Sequence, residues 1–242
     1  MITWIQLKQV LRNKRFFFFT IIFPAAWYVL PSVVNPNLMD PLIAFLIASL
    51  MGIIGNSIVT FSKRISAGRQ FYLAQARLSH YSIWRYMLSQ LIIQACLNLL
   101  IIMAITVLGI ALQTLPINLS YWCALLWLSA LGLYFSVIGF WFGISFSPTT
   151  VDVGSTPLMF LFGLMIVPFS LFSAGAFTVG ITKIQELLPP YYFYQFFHQW
   201  LTNQATDGIL WKFSLAVLVT LVPFLVGVRL RLFGKRGMAK TS

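Results

Sequence analysis

Side chains able to act as acids, bases, nucleophiles or metal ligands are scarce in this 242-residue chain, which has four Asp and Glu, two His and two Cys. Their spacing assembles no site. His80 and His198 fall in different loops, and the sequence has no HExxH pair, no CxxC and no GxxxxGK[ST] phosphate loop. No Ser, His and Asp set is arranged for nucleophilic catalysis. The expectation is a chain with no catalytic residue, no metal and no cofactor of its own. What remains is the chemistry of amides, hydroxyls and small residues. Gln90, Gln94, Asn98 and Thr106 recur at multiples of four, a polar stripe that turns slowly around one helix. In lipid each amide must find a partner, so the stripe faces protein or water. Two readings are open: a wall of a translocation path, or interhelical hydrogen bonds that only fix packing. A second pattern, Ser129, Gly132, Ser136, Gly139 and Gly143, has spacings that place all five on one helix face and let another backbone come close. Ser49, Gly52 and Gly55 repeat it more weakly.

The elements that carry these patterns are apolar runs of membrane-spanning length. The chain is 60% hydrophobic and 8% charged, and its apolar residues gather in stretches of about 20, the length that crosses a bilayer as a helix. The predicted spans are 16–34, 42–61, 87–112, 122–145, 156–178 and 209–228. Phe16 to Val34 is longer than a signal-peptide core and no clear cleavage site follows, so it is expected to be retained. Cys96 and Cys123 fall inside spans and read as small buried apolar residues. No ionisable group occupies the middle of any span, which argues against ion coupling within this chain.

Charge sets the direction. Of 16 Lys and Arg, 14 lie in three blocks, at 8–15, 63–85 and 229–240. Basic residues in short loops favour the cytoplasmic side, so both termini and the 62–86 connection are expected inside a cell membrane. The net charge of +12 has the same cause, because no soluble fold is available to present a basic patch to nucleic acid. Before the first span, Leu7, Val10 and Leu11 share a face beside Lys8, Arg12 and Arg15, which suits either a helix lying on the inner membrane surface or an ordinary basic flank. Two connections are longer than a hairpin needs. Residues 62–86 form a basic, helical cytoplasmic excursion. Residues 179–208 are an external segment rich in aromatics after Pro189 and Pro190, suited to the outer headgroup layer and too short for two more spans. The expected fold is all-α and integral to the membrane, one transmembrane domain over residues 1–242.

This arrangement resembles the membrane subunits of ABC exporters of the type-2 permease family, also called type V exporters. The likeness covers almost the whole chain: a surface helix, six spans, a long second-to-third connection and a Pro-rich aromatic outer segment. That family's first cytoplasmic connection often reads Glu-Arg-Glu-x-Gly-Thr, then a helix, then Thr-Pro-Leu-Ser. Gly68, Leu78 and Ser79 fall on its Gly, Leu and Ser positions. Arg69 and Arg77 stand where Thr and Pro are usual, and Arg64 and Ser66 where the acids would be. The resemblance implies that residues 63–80, with Lys63, Arg64, Gly68, Arg69, Phe71, Arg77, Leu78 and Ser79, form a coupling helix docking on a separate cytoplasmic ATPase that holds ATP and magnesium. It implies that Leu187 to Thr202, with Pro189, Pro190, Tyr191, Tyr194 and Phe197, forms re-entrant helices gating the outward exit. It also implies a second permease, identical or related. A path lined by amides, small residues and aromatics without fixed charge suits an amphipathic or hydrophobic cargo such as a drug, a membrane-active peptide or a lipid-like molecule. The alternative is a non-transporting membrane assembly or sensory subunit that docks through the small-residue seam.

Overall fold

The computed structural model describes residues 17–35, 39–69, 83–169 and 175–233, all-helical and without strands among them. The surface helix expected before residue 16, and Phe71, Arg77, Leu78 and Ser79, lie outside the described residues. Eight helices follow in order: α1 (17–34), α2 (Pro41–Arg69), α3 (Ile83–Ala111), α4 (Leu119–Ser145), α5 (Pro148–Ile166), α6 (Ala176–Gln185), α7 (Pro189–Leu201) and α8 (Ile209–Phe233). Five of them, α2, α3, α4, α5 and α8, are long and apolar enough to cross a membrane, while α1 contains a shorter apolar helix, Phe23–Val34. Among the described residues, five of the six expected spans therefore have a helix of full membrane-spanning length.

The helix ends follow local chemistry. Asp40 caps α2 by accepting from the Leu42 amide at 2.8 Å, with Pro41 at the first helical position, where its missing N–H costs nothing. Asn118 caps α4 in the same way, accepting from the Tyr121 amide at 3.1 Å. Two predicted boundaries are corrected. The helix of the second span does not stop at 61 but continues to Arg69, because Ser62, Ile65 and Ser66 keep burying one face around the first cations. The fifth span is not 156–178: α5 starts at Pro148, capped by Ser147, and stops at Ile166 before Val167 and Pro168. The residue before a proline is driven out of helical conformation, which ends the helix there. Cys96 is also corrected, since it is exposed on the surface of α3 and Cys123 is half-buried.

The helix α2 is the axis of the bundle. Its membrane-length window is wholly buried, and α1, α3, α4, α5 and α7 all pack on it. Within it, Gly55–Phe61 winds as a π-helix, a wider turn that often marks functional sites. The helix α8 lies at the edge, packed on α4 and α7. The aromatic external segment becomes two short helices, α6 and α7. At 13 residues α7 is too short to span a bilayer, and it wedges its rings into the end of the bundle where α4 and α8 begin.

Candidate functional site

The polar stripe of α3 and the small-residue seam of α4 meet on the π-helical stretch of α2. Gln90, Gln94, Asn98 and Thr106 are all buried, as the amide argument expects. Asn98 is the hub. Its Oδ1 accepts from Asn56 Nδ2 at 3.0 Å and from Gln94 Nε2 at 3.4 Å; its Nδ2 donates to the Gly132 carbonyl at 3.1 Å and to Ser136 Oγ at 3.3 Å. Three helices are thereby tied through one side chain. Ser57 and Ser136 add a hydroxyl contact at 3.4 Å between α2 and α4. Thr106 stands apart from this group, bonded to the Ile102 carbonyl and to the Tyr121 hydroxyl at 3.0 Å.

The seam works as close backbone approach. A Cβ on Gly139 would stand 2.1 Å from the Ser57 carbonyl oxygen, one on Gly143 2.6 Å from that of Ser62, and one on Gly132 2.9 Å from Asn98 Nδ2. Only glycine lets α4 reach these points. Ser129, which shares the spacing, is half-buried and donates to its own helix at the Leu125 carbonyl. One turn before Asn56 on α2, Gly52 meets Pro24 of α1 and Ile101 of α3, which gives its repeat of the pattern a packing role.

The network continues from the buried centre to the basic end of α2. The guanidinium of Arg64 lies 5.0 Å from the centre of the Phe61 ring, and its Nη2 donates to Gln94 Oε1 at 3.4 Å. One turn of α2 thus joins a cation to the amide chain. Beside it, Lys63 Nζ pairs with Asp152 of α5 at 2.6 Å, with both side chains about two-fifths exposed. An exposed pair of this kind contributes about 0–1 kcal/mol, so packing of α5 on the Gly55–Phe61 stretch, and not this pair, is what joins the two helices. Gly68 and Arg69 complete the described part of the predicted coupling segment, on the last turn of α2.

At the other end of the bundle, Pro189 and Pro190 open α7, and both are buried. Phe197, Phe193 and Phe196 surround Trp127 of α4, which also touches Phe213 of α8. Tyr194 is fully buried and its hydroxyl has no hydrogen-bond partner among the described residues; burial holds its phenol well above the usual range. Tyr191 is half-exposed, and burial together with the Glu186 charge raises it too. Both are neutral donors at any physiological pH.

Asn56, Ser57 and the inward reach of Arg64 are the parts that the sequence patterns missed. Asn56 was the available signal, an amide in the middle of an apolar run, where its cost demands a partner. Among the described residues no group of three or more His, Cys, Asp or Glu is placed to hold a metal.

Comparison with known proteins fits a transport-type membrane protein. No family model matches the chain, and no solved structure matches it. A protein of Bacillus subtilis (strain 168) named "Putative transport permease YvfS" is 28% identical over 201 residues, covering 78% of this chain and 79% of that one. The chain is a multi-pass membrane protein, helical throughout its described elements and similar over most of its length to a protein named "Putative transport permease".

Proposed function

We propose that this chain is the membrane subunit of an ATP-driven exporter, working with a separate cytoplasmic ABC ATPase that holds ATP and magnesium and with a second permease copy or paralogue. Both termini lie in the cytoplasm in this reading, and the cargo is amphipathic or hydrophobic. One observation carries it: α2 runs as one helix from the buried centre of the bundle to the basic residues Lys63, Arg64 and Arg69. A push on that end moves the most buried element of the molecule.

The residues then have distinct roles. The Arg-rich end of α2 and residues 70–80 dock on acidic side chains of the ATPase, whose closure on ATP displaces them. Arg64, Gln94, Asn98 and Asn56 connect that displacement to the seam with α4, where tight backbone contact favours discrete packings over continuous deformation. At the far end, α7 closes the exit with Phe193, Phe196 and Phe197, and it opens when α4 shifts under Trp127. The buried amides belong to the coupling, while the apolar and aromatic surfaces meet the cargo.

Co-purification tests this reading. Gentle extraction of the tagged chain from its own host is expected to recover a nucleotide-binding chain in stoichiometric amount. A stable complex without any such chain would overturn the exporter reading in favour of a non-transporting assembly subunit.

A further inference from the structure

Between α1, the beginning of α2 and the end of α5 lies a pocket of about 410 Å³, lined by Phe23, Trp27, Leu30, Met39, Ile47 and Val167 among others. Part of its wall comes from the point where α1 leaves α-helical geometry, since the lining residues Leu30 and Pro31 open the π-helical turn Leu30–Val34. Of its lining residues, Ile47 is only 2% exposed on the buried helix α2. Its rim is apolar surface, with Trp27 37% and Leu30 59% exposed, next to exposed Ile22 and Val33 on the same helix.

The contents of such a space follow from physical chemistry. Water needs two to four polar partners, and the apolar walls do not supply them. Leaving the space empty forfeits the dispersion contacts of every lining side chain, at a cost that grows with the volume. A peptide or a headgroup would enter with its hydrogen bonds unmet. The medium at the rim of a membrane-embedded α1 is hydrocarbon, which loses nothing on entering. We propose that this pocket is a binding site for one acyl chain of a bilayer phospholipid, which inserts past Trp27 and Leu30 and reaches Ile47. The site is independent of the transport reading and stands whether or not the chain works with an ATPase.

The test uses the full chain in phosphatidylethanolamine and phosphatidylglycerol vesicles containing a small fraction of phospholipid with a diazirine at the middle of one acyl chain. After illumination, adducts are mapped by peptide mass spectrometry. Lipids around the protein reach exposed residues such as Leu218 but not Ile47. The expected result is labelling of Ile47 that saturates with probe, alongside non-saturating labelling of Leu218. Ala26→Trp, which fills the pocket from its α1 wall, should lower the Ile47 adduct by about tenfold and leave Leu218 unchanged. Absence of an Ile47 adduct in the unmodified protein while Leu218 is labelled would overturn the proposal, and that result needs no variant to fold. An Ile47 adduct that persists undiminished in a well-folded Ala26→Trp protein would overturn it as well.

Discussion

The helices α2 and α8 are equally hydropathic over their membrane-length windows, yet the window of α2 is entirely buried within the chain and that of α8 only 11% buried. Hydropathy records how strongly a segment avoids water, and both lipid and protein satisfy that. The difference between them lies in small and polar residues. The buried helix carries Ser49, Gly52, Asn56 and Ser57, which allow close approach or require partners. In the peripheral helix, Ser214 donates only to a carbonyl of its own helix, Thr220 does the same and accepts one bond from the Tyr134 hydroxyl of α4 at 3.0 Å, and Gly227 against Trp141 is a point of close approach. In a membrane bundle the centre is therefore marked by residues that are poor at being in lipid.

Substitutions sharpen this contrast. Gly139→Leu should have the largest effect, because its Cβ meets the Ser57 backbone oxygen, which cannot step aside. Destabilisation of about 3 kcal/mol is expected, seen as loss of monodisperse protein on size-exclusion chromatography. Normal yield and size would mean that α2 and α4 do not touch there. Asn98→Leu removes the hub and strands Asn56 and Gln94, at a cost of about 2 kcal/mol, read as a lower thermal midpoint in detergent. An unchanged midpoint would reduce the network to incidental contacts. Leu218→Ala, on the exposed face of α8, should change stability by less than about 0.5 kcal/mol. A drop as large as that of Asn98→Leu would show that α8 is covered by protein, which would break the comparison.

Much of this organisation was legible in the sequence, for reasons that differ by element. The α3 and α4 runs were found within a few residues because each is an unbroken apolar stretch of membrane-spanning length. The stripe and the seam were found because helical spacing alone puts their residues on one face, but which face met which helix was not, since periodicity carries no information about partners. The end of α2 was misplaced because Lys63 and Arg64 read as the start of a separate basic cytoplasmic helix; the Arg64 guanidinium instead rests on Phe61 and reaches Gln94, so the same helix continues through the cations. The start of α5 was missed because Ser147, Thr149, Thr150 and Asp152 are as polar as a loop, although Ser147 before Pro148 was a capping signal in plain view. Asn56 was overlooked because one amide in a long apolar run forms no pattern by itself. Its meaning comes from Asn98, 42 residues away in sequence.

The central claim is that energy enters at the basic end of α2 and its continuation. It is tested most directly by replacing Arg69 and Arg77 together with Glu and measuring substrate-stimulated ATPase activity of the purified complex in vesicles. The account predicts a fall of about tenfold, the loss of charge-assisted docking contacts, with membrane insertion intact. Stimulated activity equal to that of the unmodified complex would contradict it.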